Sequence, residues 1–95
     1  MTGMATAREA FAALTQERKA KLRQAIKLAL ETYGASPLGA VLRSCQTSLK
    51  HQGRVQNWVT GEAVQGALYA LTVDGLVGFV VEDGLDIWHW RQRRG

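Results

Sequence analysis

Lys19, Arg23 and Lys27 recur every four residues, so on a helix they form one stripe, with Arg18 and Lys21 flanking it. Arg43 and Lys50 fall on the polar side of a second helix, and Arg54 falls in the loop after it. Such a set can neutralise phosphates: Lys and Arg release the counterions condensed on a nucleic acid, and that release supplies most of the non-specific affinity. A Lys/Arg run also suits an ordinary solvated helix face. Arg91, Arg93 and Arg94 form a second basic group that could extend a phosphate-tracking surface. Between the two groups run 36 residues, Val55 to Trp90, with no Lys or Arg and five acids: Glu62, Asp74, Glu82, Asp83 and Asp86.

The net charge of +4 hides this division. Residues 1–54 hold nine bases and three acids, and the acids dominate until Arg91. A basic N-terminal half with a basic tail suits a polyanion.

Catalytic chemistry finds little support. His51, His89 and the single Cys45 have no metal-ligand spacing among them. His51 reads as a residue near a helix end, and His89, between two tryptophans, as part of a strand. Cys45 sits on an apolar helix face, where a small buried hydrophobe with a raised pKa is expected. Glu82, Asp83 and Asp86 gather at a turn, which lacks the concave, water-excluding site that acid–base work needs. No glycine loop has phosphate-cradling spacing. The expectation is a protein that is not an enzyme, with no cofactor, no metal and no small-molecule substrate.

Ninety-five residues make one domain. Residues 1–6 carry no pattern and read as frayed. Ala7, Phe11 and Leu14 allow a short helix. Thr15 can cap the next one, whose apolar face is Leu22, Ile26, Ala29, Leu30 and Tyr33, ending at Gly34. The pattern fits one helix or two over 7–33. Ser36-Pro37 reads as N-cap and first turn of a helix over about 37–51, with Leu38, Val41, Leu42, Cys45 and Leu49 on its buried side. Gly53 to Val59 is a loop or holds a short strand, with Trp58 reading as core. Thr60 caps a helix that buries Ala63, Val64, Ala67, Leu68 and Leu71 and turns Glu62, Gln65, Gly66, Tyr69 and Thr72 outward; Gly75 ends it.

The period then changes from 3.6 to 2. Two strands, Leu76 to Glu82 and Leu85 to Trp90, flank Asp83-Gly84, a type I′ hairpin signal. A two-residue loop pairs Val77 with Trp90 and Phe79 with Trp88 on a face that should meet the helices. It pairs Gly78 with His89 and Val80 with Ile87 on the other, leaving an apolar strip toward solvent.

Three helices followed by a hairpin, with the third running through Leu71-Thr72-Val73-Asp74-Gly75-Leu76-Val77 into the first strand, resemble the winged helix-turn-helix superfamily. The resemblance covers residues 15–95. It implies a mainly α domain with a two-stranded wing, preceded by an N-terminal segment, 1–14, that is frayed or adds a helical turn. It also implies nucleic-acid binding for most members and protein–protein contact for a substantial minority. Two features depart from it. The helix that would read bases and the wing tip are acidic, and the Gly53–Val59 loop is longer than the usual turn of ~3–4 residues.

Two functional expectations follow. The first is a transcription or replication accessory factor that binds nucleic acid, with duplex DNA favoured over RNA. Its surface would be Arg18, Lys19, Arg23, Lys27, Arg43, Lys50, Arg54, Arg91, Arg93 and Arg94, with Gln65, Tyr69 and Thr72 contributing from the third helix. The alternative is a protein-interaction module that uses Glu62, Tyr69, Val80 and Ile87 on a basic protein or a second copy of the chain. The longest apolar run, Leu76 to Val81, is far short of the ~20 residues of a membrane span. With no signal peptide in the N-terminal pattern and a lone cysteine, a cytoplasmic protein without a membrane partner is expected.

Overall fold

Thr15 separates the first two helices. Its backbone is extended and its hydroxyl accepts a hydrogen bond from the Arg18 N–H at 3.2 Å, so a new helix begins there. The computed structural model describes residues 3–91. Helix α1 spans Gly3–Ala12 and α2 spans Gln16–Tyr33. The helical start at Gly3 replaces the frayed stretch expected over 3–6, residues 1–2 lying outside the described residues: an alanine-rich segment favours helix but is too short to hold one alone, and it packs on a neighbouring helix.

Gly34, at φ 81°, ends α2, and its N–H donates to the Leu30 carbonyl. Tyr33 was expected on the buried face but is 73% exposed. The core face of α2 closes at Leu30, one turn earlier, because the chain leaves the bundle at Gly34. Ser36-Pro37 stands one residue earlier relative to the next helix than expected, with Pro37 rather than Ser36 as its N-cap. The pair forms a short strand, β1, and the Ser36 hydroxyl turns back to donate to the Gly34 carbonyl. Helix α3 is Leu38–Ser48, shorter at both ends than expected.

A long loop then leads to α4, Gly61–Val73. Thr60 caps α4 by accepting from the Ala63 N–H at 3.1 Å. At its other end the Leu76 N–H donates to the Leu71 carbonyl and the Gly75 N–H to that of Thr72, with Gly75 at φ 78°. This is the Schellman arrangement that satisfies the last free carbonyls of a helix.

Strands β2, Val77–Glu82, and β3, Leu85–Trp90, form the hairpin in the expected register, Val77 opposite Trp90 through Glu82 opposite Leu85. Asp83 and Gly84 have φ of 52° and 79°, the double positive φ of a type I′ turn. The sheet has three strands rather than the expected two. β1 pairs antiparallel with β3, Ser36 opposite Trp88, giving the order β1-β3-β2.

The core joins Leu22 and Ile26 of α2, Val41 and Cys45 of α3, Val64, Leu68 and Leu71 of α4, and Val77 and Trp88 of the sheet. Helix α4 is central: it contacts α1, α2, α3 and β2, and buries Gly66 along with its apolar side chains.

Candidate nucleic-acid and protein interfaces

The outward face expected of α4 is largely covered. Helix α1 packs along it, and an added Cβ at Gly66 would collide with the Ala7 carbonyl and meet Phe11 Cβ at 2.8 Å. Gly66 is therefore buried rather than outward, as a helix–helix contact at backbone distance requires. Gln65, Tyr69 and Thr72 are half-buried and already engaged. Gln65 Nε2 donates to Tyr69 Oη at 2.7 Å, Thr72 Oγ1 donates to the Leu68 carbonyl at 2.8 Å, and the Tyr69 ring meets Trp88 edge-on at 5.8 Å. Glu62 is exposed at the start of the helix. What remains open on α4 is a narrow stripe with no cation on it.

The basic residues sit in different surroundings. Lys19, Arg23 and Lys27 are half-buried along one side of α2, with Lys19 Nζ 5.7 Å from the Phe11 ring and Lys27 Nζ 5.8 Å from the Trp90 ring. Arg18 is rotated from Lys19 by about 100° around the helix, and its guanidinium lies 5.3 Å from the Trp58 ring. Arg43 borders a groove between α2 and α3, while Lys50 and Arg54 are exposed in and beside a small turn where His51 pairs with Arg54. Among the described residues the only ion pair joins Lys21 to Glu17 at 3.3 Å, so these cations meet no carboxylate. Arg91 is exposed at the end of β3; Arg93 and Arg94 lie outside the described residues.

The loop before α4 is tied down by its own polar groups. Gln56 Nε2 donates to the Leu49 carbonyl at 2.7 Å, and Trp58 Nε1 donates to Gln56 Oε1 at 3.0 Å. Trp58 is buried, as read from the sequence.

The hairpin carries the residues that sequence reasoning missed. Val80 is half exposed and Ile87 partly buried, which places the expected strip. Phe79, assigned to the helix-facing side, reaches only as far as Trp88, at 5.0 Å between rings, and stays 46% exposed. Val81 is 63% and Leu85 60% exposed. The signal was present: adjacent Val80 and Val81 put apolar side chains on both faces of one strand.

Two grooves flank the helices. One of about 620 Å³ lies between α2 and α3, with Leu28, Tyr33 and Arg43 on its walls. Another of about 390 Å³ lies between α1 and α4, with Arg8, Phe11 and Tyr69. Cys45 is buried, and that burial pushes its thiol up to about 12. Among the described residues no three His, Cys, Asp or Glu side chains converge as metal ligands, and no helix is long and apolar enough to cross a membrane. No protein-family model, curated protein or solved structure matches the chain.

Proposed function

We propose that this chain is a winged-helix protein-interaction module whose hairpin is the docking element and whose α4 serves the fold rather than reading DNA. The chain order α2, β1, α3, α4, β2, β3 supports the winged-helix part of the reading. One observation carries the functional part: α1 covers α4, while the hairpin leaves Phe79, Val80, Val81 and Leu85 open. Large exposed apolar side chains rimmed by acids mark a protein-contact surface. Glu82, Asp83 and Asp86 at the tip would repel a phosphate backbone and attract a basic protein surface.

A second reading has its own observation. Lys19, Arg23 and Lys27 line one side of α2 without a carboxylate partner among the described residues, an arrangement that can track phosphates. An NMR titration of the labelled protein with a generic duplex, at low and moderate salt, separates the two. The docking reading expects silent amides from Glu62 to Thr72. Shifts there would overturn it, and salt-sensitive shifts confined to Arg18–Lys27 would support a polyanion surface on α2.

A further inference from the structure

We propose that β2 is the seam of a homodimer: its outer edge pairs antiparallel with the same edge of a second copy, joining two three-stranded sheets into one of six strands. The inference rests on the reading of the hairpin as a protein-docking element and names its partner.

The strand order leaves β2 at an edge. The residues that close a two-residue hairpin are hydrogen-bonded to each other, here Glu82 with Leu85. By alternation Gly78, Val80 and Glu82 spend their backbone groups on β3, and Val77, Phe79 and Val81 turn theirs outward. The Arg91 N–H donating to the Leu76 carbonyl at 2.8 Å keeps that alternation. Free edges are usually blunted by Lys, Pro, a bulge or a covering element. β2 reads Val-Gly-Phe-Val-Val-Glu and runs against β3 without a break in register. Val77 is buried, so the open part of its outward side lies at Phe79 and Val81, where, among the described residues, exposed apolar side chains flank donors and acceptors that nothing blunts.

A two-fold axis through Val80 uses this open part of the strand. Phe79 meets Val81 of the other copy, so outward backbone groups face outward groups and apolar side chains face apolar ones. Val80 then meets its own copy on the opposite face of the sheet.

Charge selects the second copy and the antiparallel sense. In that arrangement the acidic tip of one hairpin passes near the end of the other copy's β3, where Arg91 stands. The His89 imidazole takes the space that Gly78 leaves, 2.8 Å from the position of an added Cβ, and the Arg91 Cδ lies beside it at 3.4 Å. Glu82 of one copy falls opposite Gly78 of the other, one strand spacing of about 4.8 Å away, where the Arg91 side chain lies within its reach. A parallel pairing would set acidic tip against acidic tip. The division of charge along the sequence, acids through the hairpin and arginines immediately after it, is thus complementary to itself.

Sedimentation equilibrium of the full chain over a range of concentrations is the test. A monomer–dimer equilibrium is expected. Val81→Pro removes one outward N–H, a change that a free edge tolerates, so it is expected to give a monomer with an unchanged far-UV spectrum. Glu82→Arg and Arg91→Glu should each weaken the dimer by about tenfold, by juxtaposing like charges, and the double exchange should restore it. Should Val81→Pro unfold the chain, the charge exchange still decides. A wild type that stays monomeric at NMR concentrations, or a double exchange that fails to restore association, overturns the proposal. The duplex titration judges the docking reading separately. A monomer with silent α4 amides removes only the dimer, whereas α4 amides that shift with duplex remove the docking reading whatever the centrifuge shows.

Discussion

Gly66 of α4 lies flat against the Ala7 carbonyl of α1, at a distance that no side chain would permit. Mid-helix glycine costs roughly 1 kcal/mol relative to alanine, and here the close approach of two helix backbones offsets that. The contact holds α1 against one face of α4. Gly66→Ala is expected to destabilise the protein by about 1–3 kcal/mol, in spite of its better helix propensity, because the added methyl must push α1 away. A lowered urea midpoint and faster hydrogen exchange over Ala7–Ala12 would show it. A raised midpoint would mean that α1 does not depend on this contact.

Much of the fold was legible because local chemistry and periodicity agree. Thr15, Thr60 and Gly34 mark helix ends as caps do, and Asp83-Gly84 sets a hairpin register that holds at every pair. Ser36-Pro37 marked the start of α3 to within one residue, but not the strand it also forms, because that depends on β3, a distant partner. The candidate surfaces were less legible. A helical wheel shows which residues of α4 avoid the core formed with α2 and α3, but α1 is a second neighbour on the other side, and only Gly66 hinted at it. The same limit applies to Lys19 and Lys27: the spacing places them on a stripe, and tertiary structure places Phe11 and Trp90 beneath it.

Burial of Cys45 makes stability fall in alkaline solution. The thiol titrates near 9.0 when unfolded and at about 12 when folded. Between those values the unfolded chain has released a proton that the folded chain keeps, so unfolding binds fewer protons and the unfolding free energy declines as pH rises. The stability this group contributes is complete below pH 9 and is lost progressively as pH climbs toward 12. Urea midpoints at pH 8 and at pH 10.5 should separate for the wild type more than for Cys45→Val, which has no thiol to titrate. Equal separation in both proteins would assign the alkaline loss to other groups.

Tyr69 has a structural duty that complicates its use as an interface probe. Its ring packs edge-on to Trp88 and its hydroxyl accepts from Gln65. Tyr69→Ala is expected to cost about 2 kcal/mol in folding stability, from lost packing and the lost aromatic pair. Tyr69→Phe keeps the ring and should cost less than about 1 kcal/mol. Chemical denaturation of both variants gives the ratio. A Phe variant as damaged as the Ala variant would move the weight from the ring to the hydroxyl.

The α2 stripe sets the limits of any duplex affinity. Lys19→Glu, Arg23→Glu and Lys27→Glu combined remove three cations that have no internal acid partner among the described residues. If phosphates are tracked there, the triple variant should lose duplex binding, and neutralising the same three positions with Gln should flatten the log–log salt dependence by about three. Both sets also lose the Lys19 and Lys27 contacts with Phe11 and Trp90, at about 0.5–1 kcal/mol each. Binding is therefore compared at a temperature where circular dichroism shows every variant folded. Retention of duplex affinity by the folded triple variant would remove α2 as the nucleic-acid surface and leave the exposed Arg43, Lys50, Arg54 and Arg91 as the cations to test next.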